Sequence, residues 1–151
     1  MDRLVVAHLG LFLGQDIGGL LLAEVGRPIT RSECKDSTTV LTAVFKAMRD
    51  LHALGIVHGD ARLANIVVCG RSDDSGAVQA RDISVKWIDL RWSRGSAKTD
   101  WLCLLHSVLA IKRDEDLPAA VTAVMSAYLD DSTDANFTAF RKAVTELLNS
   151  T

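Results

Sequence analysis

Asp60 and Asn65 lie in one short polar segment, residues 58–65, which β-branched residues flank on both sides. A carboxylate can accept the proton of a reacting hydroxyl, and an amide oxygen can bind Mg²⁺. Phosphoryl transfer needs both groups close together, and a loop that turns back on itself supplies them from one rigid segment. A His-x-Asp-x4-Asn pattern is common by chance, so by itself it is weak evidence for a phosphotransfer site. The elements on either side of it provide the test.

The segment before the loop has the pattern of an amphipathic helix. Six apolar residues recur at helical spacing on one face: Val40, Leu41, Val44, Phe45, Met48 and Leu51. Residues 37–39 supply candidate N-caps, and Gly55 stands where a helix would end in the left-handed conformation. This helix would lead directly into the loop, and we expect residues 56–57 and 66–68 to be short strands on either side.

Two apolar runs, residues 4–13 and 19–25, predict a β-hairpin, because a turn-like break separates them. Residues 26–28 should end the second strand, since Pro28 cannot donate to a strand ladder. Farther along, residues 83–88 alternate as a half-buried strand does, after a polar surface loop at residues 71–76.

From Thr99 onward the pattern is helical. Three apolar stripes predict three helices: the first has Trp101, Leu104, Leu105, Val108 and Leu109, the second Leu117, Val121, Val124, Met125, Tyr128 and Leu129, and the third Phe137, Phe140, Val144, Leu147 and Leu148. No repeat or linker divides the chain. The sequence therefore predicts one α+β domain that is mostly helical.

Composition narrows the choice of partners. The 151 residues carry a formal net charge of -2, which gives no electrostatic case for nucleic acid or an anionic membrane. The apolar run at residues 4–14 is far too short for a membrane helix. Cys34, Cys69 and Cys103 form no C-x-x-C pair, which favours reduced thiols in an intracellular, cytoplasmic protein.

Residues 56–65 resemble the catalytic loop of the protein-kinase-like superfamily, in the His-Gly-Asp form of its divergent fungal and oomycete members. Three other segments resemble the family in the expected order. Residues 20–26 resemble the fifth strand and the hinge, Asp89-Leu90-Arg91 resembles the D-F-G segment, and residues 99–105 resemble the buried helix that follows. The resemblance covers roughly residues 4–109.

The resemblance implies a role for each matching residue. Asp60 would be the catalytic base, Arg62 would face the transferred phosphate, and Asn65 and Asp89 would bind Mg²⁺. ATP and Mg²⁺ are the implied cofactors, and a hydroxyl-bearing protein or small molecule is the implied substrate.

On the adenine side, the resemblance implies contacts from Glu24 and Gly26 at the edge of the base and from Val67 under its ring. Asp100 would anchor the backbone of the catalytic loop, and we expect His58 to be a structural histidine rather than a base.

The pattern also departs from the family. No G-x-G-x-x-G loop precedes the hinge-like strand, and no lysine occurs before Lys35. We therefore expect a C-terminal lobe, residues 26–151, preceded by a hairpin remnant of a truncated N-terminal lobe, residues 1–25. Such a chain would bind Mg²⁺–ATP weakly and be incomplete or inactive by itself. Arg91 replaces the D-F-G glycine, and no A-P-E motif lies between Asp89 and Asp100.

Three functions remain open at this point. The first is phosphotransfer from ATP to a Ser/Thr-type hydroxyl. The second is a small-molecule kinase of the aminoglycoside/choline type, which also uses His-Gly-Asp. The third is a non-catalytic pseudokinase module that binds a protein partner through the face that an N-terminal lobe would cover.

Overall fold

The computed structural model describes residues 8–13, 18–22, 26–69, 83–90 and 95–150. The strands are β1 (His8–Leu13), β2 (Gly18–Leu22), β3 (Arg27–Pro28), β4 (Ile66–Cys69) and β5 (Ser84–Trp87). The helices are α1 (Arg31–Asp36), α2 (Thr38–Ala53), α3 (Ala97–Leu109), α4 (Ala119–Asp130) and α5 (Asp134–Ser150). Two 3₁₀ turns, Leu63–Asn65 and Asp114–Asp116, complete the described elements. The predicted α+β class with a helical majority is confirmed.

Two antiparallel sheets hold the strands. β1 pairs with β2, with Leu11 opposite Leu20, which confirms the predicted pairing of the first two runs. β3, β4 and β5 form a second sheet in that order. β2 ends at Leu22, before residues 26–28, and Arg27–Pro28 form a further strand that was not predicted, β3, in which Pro28 lies opposite Val67. β3 is an edge strand, where a residue without an N–H group is tolerated.

The short helix α1 was not predicted from the sequence. Its six residues carry no apolar stripe, and only Cys34 is buried. A capping box starts it: Glu33 N–H donates to Thr30 Oγ1 at 3.3 Å, and Thr30 N–H donates to Glu33 Oε2 at 2.9 Å. The Thr-x-x-Glu spacing was the available signal.

The predicted helix before the loop is α2, and all six residues of its expected face are buried. Ser37 caps it, and Gly55 has φ +73°, both as predicted. The expectation of a strand at residues 56–57 was wrong. Gly55 N–H donates to His52 O and Ile56 N–H to Leu51 O, so these residues close the end of α2 instead.

The predicted C-terminal helices are present as α3, α4 and α5. Aromatic rings from α2 and these three helices form the centre of the core: Phe45, Trp101, Tyr128, Phe137 and Phe140. Within the described ranges, none of the helices has the length and apolar character needed to span a bilayer.

Candidate active site

Asp100 in the first turn of α3 fixes the start of the polar loop. Ser96 begins this helix by accepting a hydrogen bond from Thr99 N–H at 3.3 Å. The Asp100 carboxylate is 1% exposed and accepts the backbone N–H groups of His58, at 2.7 Å, and Gly59, at 2.9 Å. The expected anchoring of the loop backbone by Asp100 is confirmed.

His52, in the last turn of α2, provides a third bond to the same carboxylate. Its Nε2 lies 3.0 Å from Asp100 Oδ2. Burial alone would raise the pKa of Asp100, but the hydrogen bonds from His52 and from the backbone of His58 and Gly59 outweigh it and lower the pKa. Asp100 therefore stays ionised at neutral pH and joins α2, α3 and the loop.

His58 is fully buried and serves as a structural link. Its Nδ1 accepts Asp60 N–H at 3.2 Å, which leaves Nε2 as the protonated nitrogen that donates to Ile88 O at 3.0 Å. Desolvation lowers the pKa of His58. The hydrogen bond to the Ile88 carbonyl and the charges of nearby carboxylates raise it, but by less. The ring also packs against Trp87 at 4.7 Å. The prediction of a packed, hydrogen-bonded histidine is confirmed.

Ile88, directly after β5, is bound by both ends of the loop. Its carbonyl accepts a hydrogen bond from Nε2 of His58, and its N–H donates to Asn65 O at 2.9 Å. Asp89 follows in the left-handed conformation, with φ +55°, a region that aspartate tolerates better than most residues. The charges of Asp60 and Asp89 both act to raise the pKa of His58, so each carboxylate lies near that ring.

Asn65 is buried at the end of the loop, and its amide is oriented. Its Nδ2 donates to Asp60 O at 2.8 Å, which leaves the amide oxygen as the atom that can bind a cation. This oxygen and the Asp89 carboxylate are donors that Mg²⁺ accepts. In the described ranges, no three His, Cys, Asp or Glu side chains form a metal-binding group. Asn65 and Asp89 are the residues that would hold such a cation.

Asp60 and Arg62 form a bidentate ion pair. Arg62 Nε lies 2.7 Å from Asp60 Oδ1, and a terminal nitrogen donates to Oδ2 at 2.8 Å. The hydrogen bond to Asp60 raises the pKa of Arg62. The Arg62 side chain is 52% exposed and that of Asp60 is 12% exposed, so the guanidinium faces solvent while the carboxylate is mostly covered.

Of the three residues expected near adenine, two are brought together. A Cβ added to Gly26 would lie 2.8 Å from the Cβ of Val67, so the backbone at Gly26 packs directly on β4. Val67 is buried outside the main core, which contains its neighbours Ile66 and Val68. Glu24, and Arg91 of the D-F-G-like segment, lie outside the described residues.

Sequence reasoning missed three polar residues near this site. His52 contacts Asp100, Ser107 contacts Leu63, and Lys86 is buried opposite Val67 in the sheet. Ser107 lies two helical turns after Asp100, so the shared face of α3 was a usable signal. No sequence signal indicated the burial of Lys86, because strict alternation of residues 83–88 placed it at a polar, exposed position.

The chain matches no protein-family model and no curated protein.

Proposed function

We propose that this chain is a protein-kinase-like phosphotransferase domain that transfers the γ-phosphate of ATP to a hydroxyl group. The observation that carries the proposal is the double attachment of Ile88 to His58 and Asn65. Asp89 directly follows this attachment point, which joins the end of β5 to the loop that contains Asp60 and Asn65. In the proposal, one carboxylate for a proton and two oxygen ligands for a cation would then face a common region.

Each residue has a distinct task in this proposal. Bound Mg²⁺–ATP would supply the phosphoryl group and the cation that offsets its charge. Asn65 and Asp89 would hold the cation, while Asp60 would accept the proton of the acceptor hydroxyl. Arg62 would leave Asp60 and pair with phosphate oxygens, since a guanidinium fork fits carboxylate and phosphate equally well.

The acceptor class is the less determined part of the proposal. A Ser/Thr-type hydroxyl of a protein is the first candidate, on the resemblance of residues 99–105 to the protein-kinase helix. A small-molecule kinase of the aminoglycoside/choline type is the alternative. The short segment between Asp89 and Asp100 favours it, because that segment leaves little chain to build a platform for a peptide.

A non-catalytic module is the remaining candidate, and the Asp60–Arg62 pair favours it. Both carboxylate oxygens of Asp60 are engaged by the arginine, so fewer lone pairs of the proposed base remain for the proton of an acceptor hydroxyl. In that case the loop would serve as a scaffold, and the chain would bind a protein partner without transferring phosphate.

Phosphate transfer from labelled ATP tests the proposal. The chain would be incubated with Mg²⁺ and two acceptor panels, serine- and threonine-containing peptides and small hydroxyl compounds. We expect weak, Mg²⁺-dependent labelling of one panel, with a loss of at least ~10²-fold in Asp60→Asn, the size of a typical general-base contribution.

Asp134→Asn is the matched control, because Asp134 also pairs with an arginine, Arg49, but lies at the exposed start of α5. This variant should label acceptors as the unmodified chain does. Equal labelling by the Asp60 variant and the unmodified chain would contradict the proposed role of Asp60. Absence of labelling in both panels would favour the non-catalytic module.

A further inference from the structure

Helix α3 contacts the polar loop at two places, two turns apart. Asp100 binds the loop start, at His58 and Gly59. Ser107, on the same face of the helix, binds the loop near its end: the backbone N–H of Leu63 donates to Ser107 Oγ at 3.1 Å. The family resemblance accounts for the first contact. It assigns nothing to the second.

The hydroxyl of Ser107 is oriented as an acceptor. It donates its own hydrogen to Leu104 O, one turn back in α3, at 2.9 Å. A hydroxyl has one hydrogen and two lone pairs, so this donation turns a lone pair to the Leu63 N–H. Leu63 is buried, and without Ser107 its N–H would lose its partner away from water.

Leu63 is also the first residue of the 3₁₀ turn that ends at Asn65. Within this turn, Asn65 N–H donates to Arg62 O at 2.9 Å, and the Asn65 side chain reaches back to Asp60 O. The backbone of the turn thus sets where the amide oxygen of Asn65 lies. A shift at Leu63 would be transmitted to Asn65 through two peptide units.

We propose that Ser107 is a positioning residue that holds the 3₁₀ turn and thereby the cation-binding oxygen of Asn65. Asp100 positions the half of the loop that carries Asp60, and Ser107 positions the half that carries Asn65. The role of Asn65 as a cation ligand rests on the proposed function. The contact of Ser107 with the turn does not.

Amide hydrogen exchange, read residue by residue on the full chain by NMR, tests the positioning directly. In Ser107→Ala, the Leu63 amide should exchange about fivefold faster than in the unmodified chain, the factor for one ordinary hydrogen bond. This comparison is corrected for global stability, measured by urea denaturation. Unchanged protection of Leu63 after the correction would overturn the proposal.

Three variants act as controls. Ser107→Thr keeps the hydroxyl and should restore most of the Leu63 protection. Ser150→Ala removes a hydroxyl with the same backbone contact one turn back, Ser150 Oγ to Leu147 O at 2.8 Å, far from the loop, and should leave Leu63 unchanged. If Ser107→Ala does not fold, Ser107→Cys keeps the volume and supplies only a weak acceptor, so the same comparison can be made.

Titration with Mg²⁺–ATP then separates positioning of Asn65 from general support of the fold. The dissociation constant should rise about fivefold in Ser107→Ala and return to near the original value in Ser107→Thr. An unchanged constant, with Leu63 protection lost, would overturn the link from Ser107 to Asn65. If the unmodified chain showed no Mg²⁺–ATP binding at all, the proposed function would fail. The exchange rate of the Leu63 amide would then still test whether Ser107 holds the 3₁₀ turn.

Discussion

The polar loop and the aromatic core are held in different ways, although both rest on α3. At the loop, the contacts that fix the backbone join one polar atom to another, as when Asp100 accepts the N–H groups of His58 and Gly59. In the core, rings from four helices pack without such pairing, for example Trp101 against Phe140 at 5.1 Å between centroids.

This difference implies that the free energy of unfolding and the position of the loop groups depend on different contacts. Core packing depends on volume and shape and tolerates small shifts, whereas a hydrogen bond weakens steeply when its atoms move. Neighbouring residues of α3 serve the two regions, since Asp100 points to the loop and Trp101 to the core. The core should therefore set the free energy of unfolding, and the loop contacts should set the position of the proposed catalytic groups.

The largest effect should come from the core. Phe140→Ala removes a fully buried ring that contacts Phe45, Trp101 and Tyr128, and should lower the free energy of unfolding by about 4 kcal/mol. Urea denaturation measures this loss. Local exchange of the Gly59 amide, corrected for global unfolding, should stay unchanged. Faster local exchange at Gly59 would show that the two regions are not separate.

Asp100→Ala should affect both stability and the loop. It leaves the buried N–H of His58 and the half-buried N–H of Gly59 without their acceptor, which should cost about 3 kcal/mol of unfolding free energy. Exchange of these two amides should rise beyond the global change. Asp100→Asn keeps one acceptor oxygen and should lose less on both measures. A loss confined to global stability would contradict the anchoring role.

Acid should weaken the fold through His58. Its pKa lies below the ordinary 6.5 in the folded chain because of burial, so the unfolded chain takes up a proton first as the pH falls. Stability is thus full above about pH 6.5 and declines below it, toward the folded pKa. Asp100 adds a loss in the same direction at lower pH, since its folded pKa is also lowered.

Urea midpoints at pH 7.5 and pH 5.5 measure this dependence. The unmodified chain should be less stable at pH 5.5, and His58→Gln, which cannot take up the proton, should show a smaller difference between the two values. An equal difference in both proteins would show that other groups cause the acid sensitivity.

The smallest effect should come from the surface of α5. Asp134 is 94% exposed and pairs with Arg49, so Asp134→Ala should change the free energy of unfolding by about 0.5 kcal/mol or less. Added salt should reduce even this difference. A loss of more than about 1 kcal/mol would mean that the surface pair contributes as much as a loop contact.

The helices were predictable because burial imposes a period on the sequence. The apolar stripes of α2, α3, α4 and α5 face the core as expected. The short helix α1 has no stripe, and its only signal was the Thr30–Glu33 capping box. Residues 56–57 have the β-branched pair typical of a strand, but a glycine in the left-handed conformation made them part of a helix end.

The site was predictable where side-chain identity carries the contact. The resemblance of residues 56–65 and 99–105 to the kinase-like family implied a loop anchored by Asp100, and the anchor is present. The attachment of Ile88 was not predictable, because Ile88 takes part only through its backbone N–H and carbonyl, whatever its side chain is. Lys86 is buried against the expected alternation, since both faces of this small sheet are covered where it lies.

The central claim is that the loop and the end of β5 form a cation–phosphate site, and Mn²⁺–ATP tests it most directly. Paramagnetic broadening detects even weak binding, residue by residue. The account predicts that the amides of Asp60, Asn65 and Asp89 broaden first, and that Asp89→Asn, which keeps the left-handed backbone accessible, largely removes this effect. Broadening centred instead on the exposed acidic turn Asp114–Asp116, with the loop unaffected, would contradict it.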